Sequence, residues 1–272
     1  MHVPTNTSTA TARTASDKSH LYPADKVPSP PLDTPTAAVP TQIITFSLKK
    51  SITIEDANSF DGTLWKHALD ILENSTGFRK LYWGRHVEEA GKVQVHVVRD
   101  HLNQHYAFLT SPEWTSLTTL LKPMYPEHSQ TESSESGSSA TTVLHTLLSH
   151  FTHNPRTISS GAPVTGTAIY LTTSRTGWEK TWALWTTIVP NVKGCLGCTG
   201  GWIVEPVDGH DGCYVVYVGW ASIEDHDAYH HTRDFGRKRV VLALHNVGWR
   251  GYGHVRFLGE REKAQGKGVS RL

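Results

Sequence analysis

The strongest constraint on the fold is an internal repeat. Residues 92–114 and 213–235 align without a gap, and each copy reads as a strand of alternating β-branched residues, a polar turn and a short helix ending in aromatic residues. The match continues upstream, where residues 65–77 align with residues 182–194. Three aligned pairs are His96 with Tyr217, His105 with His226, and Trp114 with Phe235. A repeat of this length predicts two similar domains in one chain.

Length and composition restrict the class of protein. The chain has 272 residues, enough for two domains, and a formal net charge of +1. Lys and Arg are not concentrated on any helix or tail, so nucleic acid is not an expected partner. Three cysteines do not make a secreted disulfide framework, and no apolar run reaches the roughly 18 to 20 residues of a membrane span. These observations predict a cytoplasmic protein with no membrane partner.

Changes in composition divide the chain. The first 40 residues are rich in Thr, Ser, Pro and Ala, which predicts disorder, and a second polar stretch has the sequence EHSQTESSESGSSAT. The predicted organisation is a disordered N-terminal arm at 1–40, a first domain at 41–151 with a polar loop at 127–141, a linker at 152–166, a second domain at 167–258, and a flexible C-terminal tail at 259–272.

Periodicity within each domain predicts the order β-α-β-β-α-β, the ferredoxin-like arrangement. In the second domain, the last helix is expected over residues 235–246 and the closing strand over residues 252–258. One such unit leaves a sheet face uncovered. The predicted fold is therefore α+β, with two tandem ferredoxin-like domains packed sheet to sheet. This internal pseudo-dimer is expected to be a monomer or a weak homodimer.

The alternation of side chains along a strand predicts which residues lie under the helices. Val93, Val95 and Val97 in the first repeat, and Tyr214, Val216 and Val218 in the second, share the face expected to contact the helices. The opposite face carries His96 in the first repeat and Tyr217 in the second. These two residues are therefore expected on the side that the domains share.

The second repeat resembles the antibiotic-biosynthesis-monooxygenase (ABM) type of the dimeric α/β-barrel superfamily. The residues that carry the likeness are Trp220, Ser222, Ala228, Tyr229 and Phe235, and Gly194-Cys195 resembles the family's start of its second strand. The resemblance implies a single-chain dimeric α/β barrel with a ligand cavity between helices and sheet in each half. The superfamily includes cofactor-free oxygenases of polycyclic phenols, haem-degrading enzymes, muconolactone isomerases and polyketide cyclases.

Histidines supply the candidate catalytic groups. His226 and His230 lie one turn apart on a predicted helix and should face the sheet, where a neutral imidazole with a pKa near 6.5 could act as a general base. Activity would then fall as His226 protonates, with an apparent pKa near 6 to 7. The alternative is that both histidines are partly buried structural groups. His145 and His254 occupy comparable places in the two closing strands, and either a functional or a structural role fits them.

Aromatic residues supply the candidate ligand-binding wall. Trp178, Trp182 and Trp185 fall on one helical face, which is typical of a core but would suit a flat aromatic ligand if it lined a cavity. Ala68 aligns with Trp185, so the two cavities should differ, and the second is the better candidate for a working site. The predicted substrate-binding residues are Tyr229, Trp220, Trp182, Trp185, His254 and Tyr170.

Metal and cofactor sites receive little support from the sequence. Cys195 and Cys198 form a CxxC motif that leads into a glycine-rich strand, which favours structural thiols over a zinc or redox site. The family's haem-ligand position falls on Arg239 and Thr118, neither of which is a usual axial ligand. No phosphate-binding loop or hydrolase motif is present in the sequence. No metal and no cofactor are therefore predicted.

The functional prediction is an ABM-like enzyme of secondary metabolism. It would be a cofactor-independent monooxygenase, or a cyclase or dehydratase, and its ligand would be a phenolic or polyketide-derived aromatic. The competing hypothesis is a non-catalytic small-molecule-binding or scaffold protein of the same fold, and a haem-binding relative is a third. A cavity with converging His and Tyr would favour the enzyme, whereas one filled by Trp182 and Trp185 would favour the scaffold.

Overall fold

The computed structural model describes residues 39–127, 140–150, 158 and 161–263. Most of the predicted arm, the polar loop and much of the linker and the tail lie outside these residues, so the predictions made for them stay predictions. We refer to residues 39–150 as the first half and to residues 161–263 as the second half.

Eight antiparallel strands form a closed barrel. The ring order is β1-β3-β2-β8-β5-β7-β6-β4, so the strands of each half are contiguous. The halves join where β2 pairs with β8 and where β4 pairs with β6. The strands are β1 Val39–Ser47, β2 Phe78–His86, β3 Lys92–Arg99, β4 Thr141–His150, β5 Val164–Thr172, β6 Cys195–Ile203, β7 Cys213–Trp220 and β8 Asn246–Glu262.

Helices cover the outer face of the barrel. Serine or threonine caps begin five of them; Ser59 and Ser222, for example, accept a hydrogen bond from the backbone N–H three residues on, which satisfies a donor that the first turn leaves unpaired. The helices are α1 Phe60–Glu73, α2 Leu102–Leu109, α3 Pro112–Leu121, α4 Arg175–Ile188, α5 Ile223–His230, α6 Arg233–Lys238 and α7 Val240–Ala243.

The end of the second half differs from its prediction. The continuous helix expected over residues 235–246 is two short helices, α6 and α7, separated at Arg239. The chain then turns through His245, whose φ is 58°, and enters β8 at Asn246. β8 is longer than the predicted strand and continues to Glu262, because it pairs with β5 along one part and with β2 along the other. The tail predicted to begin at residue 259 is therefore still strand at its start.

The strand faces point as the alternation predicts. Val93, Val95 and Val97 are fully buried in a cluster with α1 and α3, and Tyr214 and Val216 are buried against α4. On the opposite face, the rings of His96 and Tyr217 meet inside the barrel with centroids 5.0 Å apart. In each half, a layer of side chains thus lies between the helices and the outer face of the barrel. Side chains from both halves fill the barrel interior.

Candidate functional site

A cavity of about 950 Å³ lies in the second half, between the sheet and the helices. Its floor is the outer face of β5 and β7, its walls are α4 and α5, and α6, α7 and the start of β8 surround its mouth. Seven lining residues are ones that the sequence predicted: Tyr170, Trp182, Trp185, Trp220, His226, Tyr229 and His230. Trp182 and Trp185 line this space and do not fill it, so the filled cavity expected of a scaffold is not what the structure shows.

The mouth of the cavity is apolar and exposed. Val247 is 66% exposed and Trp249 is 59% exposed, although both line the cavity. Arg239 is the only lining residue that carries a charge at neutral pH, and its guanidinium has no ion-pair partner among the described residues. The remaining lining is aromatic, aliphatic, glycine or neutral polar. The cavity therefore suits a largely apolar molecule with at most one anionic group near the mouth.

His226 is placed by α5, whose cap Ser222 accepts a hydrogen bond from the backbone N–H of Asp225 at 3.0 Å. The imidazole is 7% exposed and stacks on the indole of Trp220, with centroids 4.5 Å apart and planes 23° apart. Its Nδ1 lies 2.7 Å from Nε2 of His254. Its Nε2 has no hydrogen-bond partner in the described part of the chain, so it is the nitrogen that His226 offers to the cavity.

His254, predicted as a substrate-binding residue, is not among the residues that line the cavity. It lies behind His226 on β8, where its Nδ1 is 2.5 Å from Oε1 of Glu88 and its backbone N–H donates to Oε2 of Glu88 at 2.8 Å. Burial opposes ionisation of Glu88, but these hydrogen bonds outweigh it and hold the pKa of the carboxyl below its ordinary value. Glu88, His254 and His226 thus form a continuous hydrogen-bonded series that ends at the cavity.

The environment keeps His226 neutral. Burial, with smaller contributions from His230 and His254, lowers the pKa of His226 from 6.5 to about 3, although Glu88 acts in the opposite sense. Desolvation therefore moves the protonation of His226 in the free protein below the pH 6 to 7 expected from the sequence. At neutral pH the Nε2 of His226 can accept a hydrogen bond or a proton from a ligand, provided that Nδ1 carries the ring's hydrogen.

Two buried donors near His226 have no partner. The indole Nε1–H of Trp220 and the hydroxyl of Tyr229 are inaccessible to solvent and make no hydrogen bond with any described residue. The indole nitrogen of Trp220 and the ring of His226 both lie beside Gly166, where a built Cβ would be 3.5 Å from Nε1 of Trp220 and 3.2 Å from Cε1 of His226. Unpaired buried polar groups cost free energy.

His230 lies closer to the mouth. Its ring stacks on Phe235 with centroids 4.4 Å apart, and its Nδ1 is 3.5 Å from the hydroxyl of Tyr252. Burial lowers the pKa of His230, with a smaller opposing effect from Asp227. Since no described carboxylate is hydrogen-bonded to its ring or to that of Tyr252, His230 is the weaker of the two predicted bases.

The first half contains the same residue types in a different arrangement. His105 Nδ1 lies 2.8 Å from Nη1 of Arg99, and its Nε2 lies 3.3 Å from the carbonyl oxygen of Pro40. A guanidinium only donates, so Nδ1 accepts and the Nε2 hydrogen points at Pro40. Burial, Arg99 and His145 together lower the pKa of His105 to about 2. Both nitrogens of His105 are therefore occupied, and it cannot act as a base toward a ligand.

The space under the first-half helices is filled. Leu117 and Leu121 of α3 are fully buried, and Trp65 and Met124 are 2% and 1% exposed. These side chains form one core cluster with the outward-facing valines of β3. The sequence predicted a cavity in each half, whereas these residues of the first half form a packed core and the cavity described above lies in the second half.

Two carboxylates were missed by the sequence analysis. Glu88 contacts His254 of the second half. Glu205 accepts a short hydrogen bond from Nδ1 of His145 in the first half and another, at 2.8 Å, from the backbone N–H of His145. The alignment that pairs Trp65 with Trp182 also pairs Glu88 with Glu205 if it is extended past Gly77. The extended alignment could have identified Glu88 and Glu205 as an equivalent pair. It could not have shown that each carboxylate contacts a histidine of the other half.

The cysteines do not form a metal centre. Cys195, Cys198 and Cys213 are free thiols, of which the last two are buried, and burial raises the pKa of Cys198 to about 12. Within the described ranges, no group of three or more His, Cys, Asp or Glu residues is arranged to hold a metal ion. No helix in the described part of the chain is long and apolar enough to cross a membrane.

Comparison with known proteins gives similarity in structure only. No family model and no curated protein matches the sequence. An anthrone oxidase-like protein superposes with a TM-score of 0.55 at 12% identity over 84% of this chain and 94% of that chain. A candidate monooxygenase of Fusobacterium nucleatum gives a TM-score of 0.53 at 9% identity over 84% and 96%, and one of Lactobacillus acidophilus gives 0.50 at 8% over 83% and 96%. The chain shares the mixed α/β, ferredoxin-like fold of these proteins.

Proposed function

We propose that the protein is a cofactor-independent oxygenase of the ABM type that acts on a phenolic or polyketide-derived aromatic. The observation that carries the proposal is the unpartnered Nε2 of His226 at the wall of an aromatic cavity of about 950 Å³. The fold shared with monooxygenase-like proteins supports it.

The chemistry follows from the lining. Nε2 of His226 accepts the proton of the substrate, and Trp220 and Tyr229 line the cavity beside it. The electron-rich ring then reacts with dioxygen; with an anthrone-type substrate, one oxygen atom becomes a carbonyl and the other leaves as water, so no external reductant is required. Tyr170, Trp182 and Trp185 provide a surface against which a flat ring can pack.

In this proposal, the two halves correspond to the two subunits of a dimeric relative. The same strand order in both halves, together with the pairing of β2 with β8 and of β4 with β6, supports this assignment. Because each half covers the other, the protein is expected to be monomeric or only weakly dimeric, which sedimentation can measure.

A haem-binding function fits the lining less well. Nε2 of His226 is the nitrogen best placed for an axial ligand, but the lining offers one cation, Arg239, for the two propionates of haem. We therefore derive no step through haem, and a haemin titration followed by its visible absorbance tests this conclusion.

The experiment is oxygen uptake by the purified protein with a panel of anthrones and polycyclic phenols, without added cofactor. We expect aerobic conversion to the carbonyl product with one dioxygen consumed per turnover. Conversion that continues without oxygen would identify a cyclase or dehydratase. Binding of the panel without conversion under either condition would overturn the proposal in favour of the non-catalytic binding protein.

A further inference from the structure

In each half of the barrel, one carboxylate accepts hydrogen bonds from a histidine of the other half. Glu88 follows β2 and accepts two hydrogen bonds from His254 of β8, from Nδ1 at 2.5 Å and from the backbone N–H at 2.8 Å. Glu205 follows β6 and makes the same pair of contacts with His145 of β4. The second-half series continues directly from His254 to His226, whereas the first-half series meets the side-chain amide of Gln42, 3.0 Å from Nε2 of His145.

We propose that Glu88 and His254 are positioning residues that fix the tautomer of His226, so that its Nε2 lone pair faces the cavity. This inference rests on the proposed function of the same site. The ionised carboxylate of Glu88 only accepts, so His254 carries its hydrogen on Nδ1 and presents the lone pair of Nε2. Nδ1–H of His226 donates to that lone pair across 2.7 Å, and Nε2 of His226 is left without hydrogen.

The same series explains how a weakly basic imidazole can take a proton. When Nε2 of His226 accepts the substrate proton, its Nδ1 proton can move to Nε2 of His254. His226 is then neutral again, and the imidazolium is His254, whose charge is balanced by Glu88. One proton leaves the substrate and one is added to the histidine pair, so the count balances. The carboxylate of the first half thereby completes the site of the second.

An isosteric substitution can reverse this arrangement. In Glu88→Gln, the side-chain oxygen must accept from the backbone N–H of His254, because a backbone N–H cannot become an acceptor. The NH₂ group then faces Nδ1 of His254 and requires a lone pair there. The hydrogen of His254 moves to Nε2, Nδ1 of His226 becomes an acceptor, and the hydrogen of His226 occupies Nε2. The shape of the site is retained, but its base is lost.

Glu205→Gln is the matched control. It makes the same change at His145, but that series continues to Gln42 and Arg99 and does not reach the cavity. Glu88→Asp is the conservative variant, since it keeps an acceptor-only carboxylate. If Glu88→Gln does not fold, the spectrum of the unaltered protein still decides the proposal.

The test is the tautomer of His226 in the full chain without ligand, read from two-bond ¹H–¹⁵N correlations of ¹⁵N-histidine-labelled protein and assigned with His226→Ala. We expect hydrogen on Nδ1 in the unaltered protein, in Glu205→Gln and in Glu88→Asp, and hydrogen on Nε2 in Glu88→Gln. Hydrogen on Nε2 of His226 in the unaltered protein would overturn the proposal, as would a tautomer that Glu88→Gln leaves unchanged.

Turnover provides a second readout. With a converted substrate, Glu88→Gln should lower kcat by about 10²-fold with KM little changed, while Glu205→Gln should leave both within about 2-fold. Equal losses in the two variants would contradict the positioning role. If the tautomers behave as expected but no phenol is converted, the proposed function fails and the relay stands.

Discussion

The two halves of the barrel diverge at two aligned positions beside their histidines. Gln42 in the first half pairs with Val97 and His145, as Gly166 in the second pairs with Val218 and His254. Arg99 ends β3 where Trp220 ends β7. The first-half rings of His105 and His145 lie 5.6 Å apart between centroids, but His145 bonds to Gln42, and Arg99 bonds to both Gln42 and His105. Gly166 and Trp220 offer no polar side chain in place of Gln42 and Arg99 that hydrogen-bonds to His226, and His226 bonds directly to His254.

The second difference lies in the helices that follow. In the first half, α3 is a continuous helix whose Leu117 and Leu121 close the core against α1. In the second half, α6 and α7 are short, and Val240 stays 56% exposed at the cavity mouth. The same fold therefore gives a packed core where the last helix packs on the sheet, and a cavity where the last helices are short.

The largest expected effect concerns the aligned histidines. His226→Ala should lower turnover by about 10² to 10⁴, because the positioned base is removed, whereas His105→Ala should lower it less than about 3-fold. Steady-state kinetics per folded molecule, with folding checked by circular dichroism, makes the comparison. Equal losses would mean that both halves work together, and unchanged turnover in His226→Ala would make that residue structural.

A matched pair of leucines tests the filled half against the half with a cavity. Leu117→Ala removes a fully buried side chain and should reduce the free energy of unfolding by about 2 to 5 kcal/mol. Leu242→Ala trims a half-buried residue that lines the existing cavity and should cost less than about 1 kcal/mol. Urea midpoints at unchanged slope measure both values. Similar losses would show that the cavity wall is as tightly packed as the first-half core.

Acid should destabilise the fold through its buried imidazoles. His226 has a pKa of about 3 in the folded protein against 6.5 unfolded, so its contribution to stability is present above pH 6.5 and is lost as pH falls toward 3. At pH 5 the free energy of unfolding is lower by about 2 kcal/mol for each such histidine. Burial also lowers the pKa of His96 and of His105, so both contribute in the same direction. Between pH 7.5 and 5, His226→Ala should therefore lose about 2 kcal/mol less than the unaltered protein in urea titrations. An identical loss would contradict the depressed pKa.

The smallest expected effect is at the cavity mouth. Arg239→Ala should weaken binding of a carboxylated aromatic by about 2- to 5-fold, since an exposed ion pair contributes roughly 0.2 to 1 kcal/mol. Arg237→Ala, two residues away and outside the lining, is the control. Isothermal titration with the acid and its methyl ester separates charge from shape. If the ester loses as much affinity as the acid, Arg239 acts by packing.

The residue pattern predicted the positions of individual side chains better than their networks. Strand alternation placed Val216 under the helices and Tyr217 in the barrel, because each depends only on local geometry. Glu88 was missed because its partner His254 lies 166 residues away in the other half. The run Val240-Val241-Leu242 is apolar and predicts a continuous helix, but helical structure is interrupted at Arg239 before it and ends at Ala243 after it. These short helices surround the mouth of the cavity.

A co-crystal structure with a hydroxyanthracene-type ligand tests the central claim most directly. We expect one ligand per chain, bound in the second half with its rings against Trp182 and Trp185. Its hydroxyl oxygen should lie about 2.6 to 3.2 Å from Nε2 of His226. A ligand bound under the helices of the first half, or one in the second half whose hydroxyl points away from His226, would contradict it.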